Sequence, residues 1–152
     1  MNSENSFTKS KGKVYLVGAG PGDPGLITLK GLECIRNAQV IVIDRLAGES
    51  LLEYAGRDVE IIDAGKQGGI HNLSQDAINR LIVSRAQEGK TVVRLKGGDP
   101  FIFGRGGEEA QWLEKHEVEF EIVPGVTSAI AVPAYAGIPL THRQYNTDVT
   151  FI

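Results

Sequence analysis

Val40-Ile41-Val42-Ile43 is an unbroken run of β-branched residues. A strand with one wet face alternates apolar and polar side chains, so a strand apolar throughout is covered on both faces. Strand-like runs also occur at residues 14–17, 59–62, 91–95 and 120–123, and helical patterns separate them. Ile27, Cys34 and Ile35 mark a helix over 26–37, and a shorter one falls at 49–54. Behind Ser74, a helix-capping residue, Ile78, Leu81, Ile82 and Ala86 recur at helical spacing until Gly89 closes the segment. Residues 108–116 and a stretch from Thr127 onward complete the series. This alternation predicts an α/β fold: a parallel-type sheet with helices on both faces.

A chain of 152 residues suits one domain with a real core. Residues 1–12 are polar, carry no hydrophobic signal region, and read as a flexible tail. The domain is expected over 13–142. Asp148-Val149-Thr150-Phe151-Ile152 resembles the opening of a further strand, which makes 143–152 a linker into another unit.

Each strand is expected to end in a loop suited to a ligand. The longest, Lys96-Gly97-Gly98-Asp99-Pro100-Phe101-Ile102-Phe103-Gly104-Arg105, follows the strand at 91–95. Glycines there permit positive φ and close approach of backbone to a ligand. In open α/β sheets the carboxyl ends of the strands are where ligands sit. Gly18-Ala19-Gly20-Pro21-Gly22-Asp23, Asp44-Arg45, Gly65-Lys66 and Pro124-Gly125-Val126-Thr127-Ser128 extend the set. The first of these is not a dinucleotide fingerprint, because its third glycine position holds Asp23 and Pro21 and Pro24 lack amide donors. The G-x-x-x-x-G-K-[S/T] phosphate loop is absent from the sequence.

A net charge of -3 and a sequence pI near 5.6 argue against nucleic acid or an anionic membrane as partner. The single cysteine, Cys34, sits in a helical pattern as small core filler and fits a reducing, cytoplasmic compartment. His71 and His116 have no ligand-spaced companions, so no metal site is expected. Trp112 and Leu113 read as core residues.

Three segments carry a resemblance to a known family: Gly18-Ala19-Gly20-Pro21-Gly22-Asp23, Leu95-Lys96-Gly97-Gly98-Asp99-Pro100-Phe101, and Ala136-Gly137-Ile138-Pro139-Leu140-Thr141-His142-Arg143. They are similar to the tetrapyrrole methylases, and the similarity runs from about Lys13 to Thr150. The resemblance implies S-adenosylmethionine as cofactor, bound between two α/β domains of which this chain is the N-terminal one. It also implies methylation of uroporphyrinogen III at two ring carbons, giving precorrin-2 for sirohaem or cobalamin, by a homodimeric enzyme. Carried over, the family pattern places Pro21, Gly97, Gly98, Asp99, Ile102, Thr127 and Ser128 around the cofactor. Asp44 matches a proton acceptor and Lys66 a proton donor. Arg45, Arg105, His142 and Arg143 are candidates to hold substrate carboxylates, since guanidinium forks match them.

One position departs from the pattern: Gln67 follows Gly65-Lys66 where the family commonly has arginine. The threonine-proline-isoleucine-glycine-asparagine loop of RNA-directed relatives is absent from the sequence. The rival readings are another precorrin methyltransferase and a truncated, non-catalytic cofactor-binding module. With one wall of the cleft supplied by a second domain, the chain by itself is expected not to turn over.

Overall fold

The computed structural model describes residues 12–44, 46–65 and 73–152. Nearly all of the expected tail, together with Arg45, Lys66, Gln67 and His71, lies outside the described residues. Five strands, β1 (Lys13–Gly18), β2 (Val40–Ile43), β3 (Glu60–Asp63), β4 (Val92–Lys96) and β5 (Glu119–Val123), form one parallel sheet in the order β3-β2-β4-β1-β5. Among the described residues four helices cover it: α1 (Leu29–Asn37), α2 (Gln75–Gln87), α3 (Gly106–Lys115) and α4 (Ser128–Tyr135). The expected α/β alternation is therefore present, and β2 is buried at every position.

Strand side chains alternate between the two faces, and the core divides accordingly. Val14, Leu16, Val40, Val42 and Val92 pack under α2 and α3, against Ile78, Ile82, Val83 and Leu113. Val17, Ile41, Ile43, Val93 and Leu95 pack on the opposite face against Cys34 and Ile35 of α1. Neighbouring strands β1 and β4 thus send their following helices, α1 and α3, to opposite faces. A crevice opens at their carboxyl ends, at the switch point of an open α/β sheet. There the two loops pair through Gly20 and Gly98, whose amides and carbonyls exchange bonds of 3.2 and 2.7 Å.

Three boundaries differ from expectation. The helix expected from residue 26 begins at Leu29, because Pro24–Leu26 forms a separate 3-10 turn and Thr28, with extended backbone, caps α1 through its hydroxyl. The segment Glu49–Tyr54 is likewise a 3-10 turn. The central strand runs one residue further than expected, so Lys96 belongs to β4 and not to the loop. Residues 148–152 carry no strand assignment here, and a strand is defined by the ladder that pairs it. Ser74 caps α2 as expected, its hydroxyl accepting from Ala77, and Thr127 caps α4 by accepting from Ala129.

Candidate active site

The loops after β1, β2 and β4 and the start of α4 enclose a cleft of about 490 Å³. Pro21, Gly97, Gly98, Ile102, Thr127 and Ser128 line it, together with Asp44 and Arg105. Eight of the residues singled out from sequence therefore meet at one place. Gly97 has no room for a side chain, since a Cβ there would stand 2.9 Å from the Leu46 Cβ and carbonyl oxygen. Gly98 holds φ at +62°, where glycine carries no steric penalty. Behind them Gly125 is packed so tightly that a Cβ would fall 2.2 Å from the Gly98 carbonyl.

Asp99 has a different place. It does not line the cleft; one oxygen accepts from the Phe101 amide at 2.8 Å and the other from the Gly125 amide at 3.0 Å. Its carboxylate ties the glycine loop to the loop before α4. Arg105 sits at the rim in the left-handed region, its guanidinium gripping Glu108 at 2.9 and 2.6 Å. His142 and Arg143 lie on an exposed turn that closes through His142 and Asn146 and does not line the cleft. Arg45 and Lys66 lie outside the described residues.

The floor of the cleft carries charges that sequence reasoning missed. Arg94, Lys96 and Glu109 are 1%, 3% and 1% exposed. Arg94 donates from Nε to Glu109 Oε1 at 3.0 Å, from one terminal nitrogen to the Val42 carbonyl at 3.3 Å, and from the other to Asp44 Oδ1 at 2.5 Å. The Lys96 ammonium lies 3.1 Å from each Glu109 oxygen, hydrogen-bonded to Oε1, and 3.8 Å from Asp44 Oδ2. Gln75 of α2 donates to the same Glu109 oxygen at 3.1 Å. Two cations and two carboxylates balance, as buried charge requires. Burial pushes the Lys96 ammonium below the ordinary lysine range and the Arg94 charge adds to this, with Glu109 and Asp44 opposing.

A signal for this cluster was present. Arg94 and Lys96 interrupt an apolar run at alternate positions, which puts both on one face of a central strand. Asp44 forms an ion pair with Arg94, 50 residues away in sequence.

A family model for the tetrapyrrole (corrin/porphyrin) methylases matches residues 13–150. The chain belongs to the tetrapyrrole methylase family. Over 141 residues this methylase chain is 60% identical to a uroporphyrinogen-III C-methyltransferase of Priestia megaterium, a match covering 93% of the chain and 59% of that protein. The corresponding enzyme of Methanocaldococcus jannaschii is 58% identical over 93% of the chain and 58% of its own length. Uroporphyrin-III C-methyltransferase of Thermus thermophilus, solved with S-adenyl homocysteine, superposes with a TM-score of 0.73 at 49% identity, over 87% of the chain and 54% of that structure. This methylase chain spans between 54% and 59% of the length of these relatives. None of its described helices is long and apolar enough to cross a membrane.

Proposed function

We propose that this chain binds S-adenosylmethionine and takes part in C-methylation of uroporphyrinogen III. One observation carries the reading: a carboxylate, Asp44, is held at the floor of a glycine-walled cleft at the sheet's switch point. The cleft fits the cofactor's chemistry. Gly97 and Gly98 line the cleft with backbone alone, and Thr127 and Ser128 bring hydroxyls and amides to it at the start of α4. When bound, the cofactor supplies an electrophilic sulfonium methyl.

Methyl transfer to a fully substituted ring carbon leaves the macrocycle cationic, and charge is balanced when a proton leaves the pyrrole N–H or an adjoining bridging carbon; we assign Asp44 as its acceptor. Among the described residues, Oδ1 carries the Arg94 bond and Oδ2 the Lys96 charge at 3.8 Å, so we assign the proton to Oδ2. The methylated ring is cationic, which makes its N–H and the adjoining bridging carbon acidic enough for a positioned carboxylate to take the proton. We assign Lys66 the complementary donor role. Arg105 at the rim, Arg45, and farther out His142 and Arg143 are the proposed holders of substrate carboxylates. Asp99 contributes by fixing the glycine loop. The same reading includes a homodimer, supported by the exposed Ile130, Val132 and Tyr135 of α4 and tested by light scattering, and a cytoplasmic location, tested by cell fractionation.

Calorimetry with S-adenosylhomocysteine on the 152-residue chain tests the cofactor site; no heat of binding would remove it. Turnover is best read in a chimera, with this chain replacing the matching 141 residues of the Priestia protein. The dimethylated product is expected there, and Asp44→Asn should slow its formation by at least about 100-fold while leaving cofactor affinity intact. Equal rates would take Asp44 out of the mechanism. The chain alone is expected to bind without turning over, and product formed by it would overturn that expectation.

A further inference from the structure

The buried charges beneath the cleft exceed what binding a cofactor or taking one proton requires. Glu109 reaches them from the first turns of α3, and the shape of the glycine loop sets where that helix starts. Gly104 and Gly106 wrap so closely around the Pro100 carbonyl that a Cβ on either would approach it to 2.7 or 2.3 Å. Arg105 between them adopts φ +55°. The loop therefore delivers Glu109 to the underside of β4. There the carboxylate is fully buried, held by Arg94, Lys96 and Gln75.

We propose that Lys96 and Glu109 are positioning residues that, with Arg94, clamp the Asp44 carboxylate so that Oδ2 faces the cleft. Arg94 fixes Oδ1 at 2.5 Å, and the Lys96 charge orients Oδ2 from 3.8 Å. Glu109 holds the two cations apart and in place, at 3.0 Å from Arg94 and 3.1 Å from Lys96. A buried like-charged pair without a shared anion would repel, and the lysine would shed its proton. The described charged groups around Lys96 are Arg94 on its own strand, Asp44 after β2 and Glu109 on α3; Glu108, paired with Arg105, stands farther out at the rim. The inference rests on the proposed role of Asp44, but its test does not.

The direct test follows the Lys96 side chain by NMR titration in the 152-residue chain. Lys96 should lose its proton at lower pH than ordinary lysine, and at lower pH still in Glu109→Gln and in Asp44→Asn. The second variant alters a half-exposed side chain and keeps the test open where the first fails to fold. Titration of Lys96 unmoved in either folded variant overturns the clamp. In the chimera assay, Lys96→Met should lower kcat by between about 10- and 100-fold with KM unchanged, as misplacement of a reacting group does. Lys96→Arg should restore it, and Glu109→Gln should move the alkaline limb of the pH–rate profile to lower pH. A role in stability alone would leave that limb where it is and overturns the proposal. A shifted lysine titration with kcat unchanged in Lys96→Met overturns the positioning role, whereas an unchanged rate in Asp44→Asn overturns the role of Asp44 on which that purpose rests.

Discussion

Two ion clusters of the same composition occupy opposite ends of the sheet. At the amino ends of the strands, Arg85 and Lys90 pair with Glu60 and Glu88 at distances from 2.7 to 3.5 Å. At the carboxyl ends, Arg94 and Lys96 pair with Asp44 and Glu109 over a similar range, 2.5 to 3.8 Å. Each has one arginine, one lysine and two carboxylates. The first is 28–40% exposed at every side chain, whereas three members of the second are 4% exposed or less. Contact distances alone would rank them alike. Water separates them: exposed pairs are screened and held loosely, whereas buried charges depend on their partners because solvent cannot replace them. The first cluster belongs to the surface and the second lies buried beneath the cleft, where we propose that it fixes a reactive group.

The comparison breaks or sharpens most visibly under single truncation. Glu109→Ala leaves two buried cations with one anion and should cost about 3–5 kcal/mol, read from denaturant unfolding. Glu88→Ala at the other cluster should leave the unfolding midpoint unchanged within error. A smaller contrast comes from removing a whole pair. Arg94→Met with Glu109→Met keeps Lys96 and Asp44 balanced, and its stability should return to within about 1 kcal/mol of the parent, because well-packed apolar groups substitute for buried ion pairs. Methyl transfer in the chimera should stay low, since the clamp is gone.

The pH dependence of stability should then run in the same sense at both clusters but in two separate intervals, alkaline for the buried one and acid for the exposed one. Lys96 has a folded-state pKa below its unfolded value, so the unfolded chain binds more protons in that interval. Stability gains from this group as pH rises through the lowered value toward the ordinary lysine pKa of about 10.4. Glu60 is held below the usual carboxylate range, chiefly by its Arg85 bond, so its contribution is present above about 4.3 and lost as pH falls through the lowered folded value. Thermal unfolding across the two intervals reads both slopes. The smallest effect is ionic: at about 1 M salt the screening length falls to about 3 Å, which should weaken the exposed cluster and spare the buried one. Double-mutant cycles for Arg85 with Glu60 and for Arg94 with Glu109, at low and high salt, separate them.

Much of this molecule was legible from local pattern. Strand and helix periodicity, the cap at Ser74 and the glycine loops follow from short-range sterics and hydrogen bonding, and each leaves a mark within a few residues. The cleft's membership was legible for the same reason, since strand-end loops of a parallel sheet share one edge. The charged floor was not. Arg94 and Glu109 stand 15 residues apart and Arg94 and Asp44 stand 50 apart, so pairing them depends on strand order and on which face each helix takes.

Sequence by itself determined the α/β alternation, the glycine walls and the site's place at the strand ends, because these are properties of neighbouring residues. Only the tertiary structure decided that β4 lies between β2 and β1. That order brings Asp44 beside Arg94 and Lys96, and α3 then carries Glu109 beneath them. Burial, a property of the packed whole, makes these charges interdependent.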